Sequence, residues 1–419
     1  VNLRIALAVS LITAAWVLVC TQQDHMSVNP ASRYATMEAL VEHGTFTIDD
    51  THLVSRTVDK VKWEGRFYSS KPPLLPTLLT PIYAGVRAVT GEGFREAMYP
   101  TARVMRVFVA FAPWAIAMVL WAALVFRLTP REDERALLII AMVAGGLPTA
   151  YGSHLDNHSF AFGALVAAAV AAAPVVQASK TLTASRAALA GLAAGAAVTF
   201  DLGAAPLSGL MVVWVAWTQR SRPRVAVSLL AAAAVPLACQ VAISYAMTGD
   251  PRPFYLLGAS YDYPGSYWNN RAEFDALSEP KWRYALHSLI GHHGLFSVTP
   301  WLVLALPWFF RREETPAAEA LRRVAIAATL FIVAYYVRKT TNYGGRCVGM
   351  RWYMVLHPVL AIAAARTISR YGMAARRPVL LGVLIALSAV SALPGAINPW
   401  EEGLVHALLR AIGMGSVPG

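Results

Sequence analysis

The chain has 419 residues, 57% hydrophobic and only 14% charged, with a mean hydropathy of +0.48. Soluble domains carry about 25% charged residues, so an ordinary soluble enzyme of two or three domains is excluded. The net charge of +12 does not point to nucleic acid. Its basic residues stand in short clusters between apolar runs (Arg220 to Arg224, Arg311-Arg312 with Arg322-Arg323, Arg370 with Arg376-Arg377), the pattern that marks cytoplasmic loops of membrane proteins.

Ile5 to Cys20 is long for a signal-peptide core and lacks a small-x-small cleavage site before Thr21, so it reads as a retained first helix. Further apolar runs follow at about 74–90, 103–126, 136–152, 159–178, 187–218, 225–247, 293–310, 324–338, 352–367 and 378–397, each near the ~20 residues that cross a bilayer. The run 187–218 is too long for one straight span and is interrupted from Thr199 to Gly203, as one broken helix or two short ones. Counted once, it brings the total to about eleven spans, with ten to twelve as the range. The expected fold is an all-α polytopic membrane protein forming a single integral membrane domain over 1–419. Alanine-rich runs at 166–173 and 231–234 suggest close helix packing. Cys20, Cys239 and Cys347 offer neither a metal-ligand spacing nor a disulfide framework.

With the N-terminus inside, the segments 21–73, 248–292 and 339–351 lie outside, and the basic clusters lie inside. One loop breaks the pattern: Arg127 to Arg135 falls outside although it holds three arginines. In the same count Asp156-Asn157-His158, an ionisable candidate at membrane depth, falls inside and far from Lys71, whereas a reversed local topology would put it near the loop.

The first outer loop, Thr21 to Pro73, concentrates seven carboxylates, six Lys/Arg and three His in a chain that is otherwise mostly apolar. Ala31 to Glu42 carries an apolar stripe and reads as an amphipathic helix on the bilayer surface, with Asn29 as its cap and Pro30 in its first turn. At the loop's end two prolines restrain the backbone after Lys71, which either holds a phosphate of a membrane-bound substrate as a point charge or anchors the chain by snorkelling to headgroups.

Arg33-Tyr34-Ala35 followed by Tyr68-Ser69-Ser70-Lys71-Pro72-Pro73-Leu74 resembles the first outer loop of GT-C-fold glycosyltransferases. The resemblance is nearest to the protein O-mannosyltransferase and lipid A aminoarabinose transferase branch, whose loop reads Asp-Glu-x-Arg-Tyr-x and then Lys-Pro-Pro-Leu. It covers residues 1–90 in motif and the rest in topology. It implies an inverting transfer of a sugar from a polyprenyl-phosphate donor to a glycan, lipid or protein acceptor, at the outer face of a bacterial plasma (inner) membrane. Lys71, Arg33 and Tyr68 would stand at the donor. Membrane lipids are the expected surroundings and nucleic acid is not an expected partner. One departure stands out: Val28-Asn29-Pro30-Ala31 replaces the family's Asp-Glu, the general base toward the acceptor. Asp24 and Asp59 are the substitute bases. Asp24 reads equally as a solvated helix cap, and Asp49-Asp50 as a turn. The resemblance fixes no cofactor. The class includes members with and without a divalent cation, and this loop has carboxylates enough for Mg or Mn.

The loop from Tyr343 to Trp352 places three glycines beside Arg346 and Arg351, a composition suited to gripping phosphate or to an interfacial turn. His292-His293 are adjacent and make a poor metal pair by themselves; with Tyr263, from the aromatic segment Tyr255 to Trp268, they are candidates for substrate contact or for structural roles. Asp201 either caps a broken helix or serves function as an ionisable group at membrane depth. Two rival readings are a transporter or flippase for a lipid-linked or anionic substrate and a non-catalytic lipid-binding relative.

Overall fold

Proline, glycine and capping residues decide where these apolar runs become separate helices. The computed structural model describes residues 1–176, 181–269, 271 and 276–413; the end of the run 159–178, positions 270 and 272–275 of the second loop and the last residues of the tail lie outside them. In chain order the helices are α1 (Leu3–Cys20), α2 (Val28–Glu42), α3 (Leu74–Thr90), α4 (Met98–Leu128), α5 (Glu132–Gly145), α6 (Asn157–Val176), α7 (Ala184–Phe200), α8 (Ala205–Thr218), α9 (Pro223–Thr248), α10 (Lys281–Leu289), α11 (Pro300–Phe309), α12 (Pro316–Lys339), α13 (His357–Tyr371), α14 (Pro378–Gly395) and α15 (Leu404–Ala411). Among the described residues, six helices (α1, α4, α6, α9, α12 and α14) are long and apolar enough to cross a membrane.

Local chemistry explains the interruptions. In α4 a π turn at Val107–Phe111 precedes Pro113, whose missing N–H cannot continue the i→i−4 ladder. The run 187–218 is two helices. Asp201 leaves helical geometry (φ −145°, ψ 113°) and its Oδ1 accepts a hydrogen bond from Gly203 N at 3.0 Å, while Pro206 sits in the first turn of α8, where its absent donor is not needed. On α7, Gly191 and Gly195 lie four residues apart against α9. A methyl at either would overlap the carbonyl oxygen of Leu229 or Ala233, so the alanine-rich stretch of α9 is packed backbone to backbone.

Contacts at the helix ends sort the chain into two poles. At one, Leu3 N donates to Glu132 at 3.2 Å, Ser369 to Glu134 at 2.5 Å, Leu182 N to Gln219 at 3.4 Å and Arg370 to the Arg312 carbonyl at 3.4 Å. At the other, Arg106 donates to Gln23 O at 2.6 Å, His25 stacks on His154 at 4.5 Å, and Val348 N donates to Pro399 O at 2.9 Å. The 74–90 run, expected to cross, does not reach the far pole. Leu74 N donates to Gln240 in α9, and near its other end Arg87 and Tyr83 both bind Glu42 of the first loop. After α3 the chain enters α4 beside Asp24 and Gln23, still at the loop pole. With α3 kept at the loop pole and the 187–218 run divided into α7 and α8, Arg127 to Arg135 falls at the pole of the N-terminus with the other basic clusters. Asp156 to His158 moves to the loop pole.

The surface helix expected at 31–42 is also corrected. Every residue of α2 from Asn29 to Ala39 is buried. Its polar side is satisfied inside the protein: Ser32 Oγ donates to Asp59 O at 2.5 Å and Glu38 accepts from His52 N at 2.8 Å, so it has no face left for lipid. Its cap is Ser27 rather than Asn29. The loop also holds a hairpin that an all-α expectation omits, β1 (Lys60–Trp63) paired antiparallel with β2 (Arg66–Ser69). Glu64 and Gly65 at its turn both have positive φ (48° and 81°), as a two-residue hairpin turn requires.

Candidate active site

The hairpin makes the site. Its register pairs Lys60 with Ser69, and just beyond the pairing Ser70 N donates to Asp59 O at 3.0 Å. Asp59 and Lys71, distant in sequence, thereby become neighbours: Lys71 Nζ lies 2.8 Å from Asp59 Oδ2. Asn29 Nδ2 donates to the same oxygen at 3.3 Å. Arg33, one helical turn after Asn29 on the same face, donates to the Asn29 side chain and, at 2.5 Å, to Asn157 Oδ1. Asn157 Nδ2 donates onward to Phe200 O at 3.0 Å, which ties the first loop to the starts and ends of α6 and α7.

Next along α6, His158 Nδ1 shares a hydrogen bond of 2.6 Å with Asp201 Oδ2. Asp201 therefore caps α8's entry with one oxygen and orients an imidazole with the other. Across the site Arg351 donates to Gly344 O at 2.9 Å, stacks over Trp400 at 4.5 Å, and stands 3.9 Å from Asp156. Its Nε and Nη1 are buried and have no hydrogen-bond partner among the described residues.

These groups surround a cavity of about 730 Å³, whose charged lining among the described residues is Arg33, Lys71, Arg346, Arg351 and Asp59, four cations against one carboxylate. Tyr255, Tyr261, Tyr267, Trp268, Trp352 and Trp400 supply flat apolar surface. At Pro72, Asn157, Tyr255 and Trp352 it adjoins a second, largely apolar cleft of about 430 Å³ between α8 and α12, walled by Phe200, Pro206, Phe331, Ile332 and Tyr335.

Burial shapes the charges. It pulls Lys71 down to about 8 against the attraction of Asp59. Burial opposes ionisation of Asp59, but Lys71, Arg351 and Arg33 outweigh it and hold the carboxyl below its ordinary value. Arg33 is lowered by burial to about 10 and remains a cation at neutral pH. The cavity is thus built for an anion, with Lys71 as its least firmly protonated donor.

The other expected residues divide. Arg33, Asp59, Lys71, Arg346 and Arg351 line the cavity; Arg346 stands at its rim, 3.5 Å from Glu402. Asp24 does not line it: the side chain is 51% exposed and paired with Arg103. Tyr68 is buried in the hairpin against Phe254 and stands behind the site. Tyr263 points away, its hydroxyl 3.4 Å from Lys60 O, and Tyr261 takes the inward position. His292 and His293 lie behind the 343–351 segment, where burial and neighbouring histidines push His292 to about 2 and His293 to about 3. Asn29 and His158 enter the site by contact alone. The signals in the sequence were Asn29 four residues before Arg33 and the polar triplet at 156–158 between apolar runs. For Mg or Mn the fit is poor: Asp59, the one carboxylate in the lining, is held by Lys71 and Asn29, and no group of three carboxylate, His or Cys ligands converges there among the described residues.

No protein-family model matches the chain, and no curated protein matches it in sequence. Solved structures match it in fold. The crystal structure of ArnT from Cupriavidus metallidurans in the apo state aligns with 95% of this chain and 75% of that one at a TM-score of 0.51 and 13% identity. A second structure of ArnT, bound to undecaprenyl phosphate, aligns over the same shares at 0.47 and 12% identity. The chain therefore has the fold of ArnT, the neighbour in whose direction the resemblance at Arg33 and Lys71 pointed.

Proposed function

We propose that this protein is an inverting glycosyltransferase that takes a sugar from a polyprenyl-phosphate donor. The observation that carries the reading is the junction of the cationic cavity with the apolar cleft at Pro72 and Trp352: a charged head and a long apolar tail on one ligand fit the two compartments side by side. Lys71 meets the donor phosphate as a point charge, and Arg351 grips it with its two unpartnered nitrogens. As the bond between the anomeric carbon and the phosphate oxygen breaks, these fixed cations stabilise the charge that develops on the leaving phosphate.

Asp59 serves to position Lys71. A carboxylate bonded to the ammonium that holds the leaving group stands on the leaving-group side, whereas an in-line displacement brings the acceptor from the opposite side. The acceptor's proton passes to His158, whose other nitrogen is held by Asp201; the acceptor oxygen then bonds to the anomeric carbon with inversion. The acceptor is a hydroxyl on a glycan, lipid or protein.

The proposed topology has eleven crossings, with α3 lying at the loop pole and α7 and α8 crossing separately. It puts all the arginine clusters, Arg127 to Arg135 included, on the cytoplasmic side. The cavity then faces outward from a bacterial plasma membrane. The test uses the protein in nanodiscs. Polyprenyl phosphate should bind at least ~100-fold tighter than the corresponding polyprenol, and Lys71→Ala and Arg351→Ala should erase that difference. Sugar transfer should fail in Lys71→Ala and His158→Gln. Equal binding of the two lipids by the wild type would overturn the reading, and phosphate-dependent binding without transfer from any polyprenyl-phosphate sugar would leave a lipid-binding relative.

A further inference from the structure

We propose that His292, His293 and His406 form a zinc site that clips the C-terminal helix α15 to the wall behind the cavity. Their candidate ligand nitrogens all lie within 4.8 Å of one another. Tetrahedral zinc holds imidazole nitrogens about 2.0–2.1 Å from the metal and so about 3.4 Å apart; the Nδ1 atoms of His292 and His293, now 2.5 Å apart, would give up that mutual contact for the metal. Consecutive histidines diverge on a regular helix or strand. Here they sit in a turn between Gly291 and Gly294, with His293 N bonded to His287 O at 3.2 Å, and the backbone bend turns both rings toward His406. The ring centroids of His292 and His293 are 4.7 and 5.3 Å from that of His406.

Two observations point to a ligand rather than to a histidine stack. His293 is 4% exposed, yet its Nε2 has no hydrogen-bond partner, and Nδ1 of His406 is likewise buried and unpartnered. Buried polar nitrogens left without a partner are costly, and a cation satisfies lone pairs that have no donor to meet them. His287, stacked at 4.1 Å on His292 and carrying its own unpartnered Nδ1, is placed to complete the shell; its Nε2 faces Glu279 at 3.9 Å, the carboxylate beyond a ligand histidine that orients it. An all-imidazole set selects zinc and its neighbours in the transition series over Mg or Mn, which prefer oxygen.

The partner of this clip is α15, which buries none of its own residues. The wall it meets is the cavity's: Met350 N donates to His293 O at 2.8 Å, and the His293 ring stacks on Tyr343 at 5.0 Å, one residue before the glycines that face the cavity. The inference is independent of the donor assigned to the cavity.

The experiment titrates ZnCl2 into the full chain in nanodiscs after chelator stripping, against a fluorescent zinc chelator, and repeats the titration with Co(II). One zinc per chain and the intense visible bands of four-coordinate Co(II) are expected. His406→Ala, on an exposed helix, should weaken zinc by at least ~100-fold, beyond the 10–100-fold typical of lost supporting contacts. His293→Gln should do the same, and zinc should raise the melting temperature of the wild type but not of His406→Ala. Asp24→Asn serves as the unchanged control. No stoichiometric zinc in the wild type, or equal affinity in the wild type and both histidine variants, would overturn the proposal.

Discussion

The cavity around Lys71 and the cleft around Ile332 touch at four residues and are made of opposite materials. The cavity is held by directional bonds: Lys71 to Asp59, Asn29 to Asp59, Arg33 to Asn29 and Asn157, which join α2, the two ends of the hairpin and the start of α6. The cleft is walled mainly by apolar packing, α8 against α12, with Gly203 kept small because any side chain there would strike the Tyr336 hydroxyl. A network of that kind tolerates no missing member, since a lost partner strands a buried charge. An apolar wall loses affinity in proportion to the surface it gives up. The two regions should therefore fail differently, and substitutions can be ordered by how sharply they expose the difference.

The largest effect belongs to Lys71→Ala. Binding of polyprenyl phosphate should fall by at least ~100-fold, and the stranded Asp59 carboxylate should cost about 3 kcal/mol of stability. The double variant Lys71→Ala/Asp59→Ala should regain most of the melting temperature and none of the phosphate binding. Recovery of both would mean that Lys71 serves the fold only. Next comes Ala205→Phe, which places a ring in the cleft. It should weaken a long-chain polyprenyl phosphate by roughly 10- to 30-fold, as the loss of 1.5–2 kcal/mol of apolar burial implies, while a short-chain phosphate keeps its affinity. Equal losses for both chain lengths would show that cleft and cavity are one compartment.

A pH series separates the two regions without any substitution. Lys71 in the free protein loses its proton near pH 8 rather than near 10.5, because burial penalises the ammonium. A phosphodiester headgroup keeps one negative charge throughout that range. Binding needs the ammonium, so it should be flat below pH 7 and weaken above pH 8, by up to about tenfold per unit. The sign follows from the lowered value: raising the pH removes the proton from the free protein first, and binding must put it back. A polyprenol without phosphate should show no such slope.

Much of this arrangement was legible in the chain, and the parts that were not share a cause. Hydropathy located nearly every apolar helix, because burial in lipid is a local property of composition. It could not tell that α3 stays at one pole, since that depends on Arg87 and Tyr83 finding Glu42 of the first loop. Taking α3 as a span and counting the run interrupted at Asp201 once left a visible trace in the arginines of 127–135, which then fell at the opposite pole from the other basic clusters. The hairpin was also readable in principle: Glu64-Gly65 between alternating Val61, Trp63 and Phe67 is a turn signal. Without that hairpin, Asp59 and Lys71 had no reason to be paired. The histidines show the limit, for nothing near Leu404 in sequence announces that His406 meets His292.

The smallest expected effect tests the choice between the first loop's two candidate acids. In sequence Asp24 was the nearer substitute for the missing base and Asp59 the other. The fold separates them, giving Asp59 a buried place against Lys71 and leaving Asp24 half exposed beside Arg103. An exposed pair of this kind contributes about 0–1 kcal/mol, so Asp24→Asn should leave transfer within about twofold of the wild type and barely move the melting temperature. Asp59→Asn should keep the site's shape but return Lys71 toward its phosphate with a weaker hold on its position, raising KM more than it lowers kcat. A collapse of kcat in Asp24→Asn, with phosphate binding intact, would place the acceptor beside Arg103 and move the chemistry out of the cavity altogether.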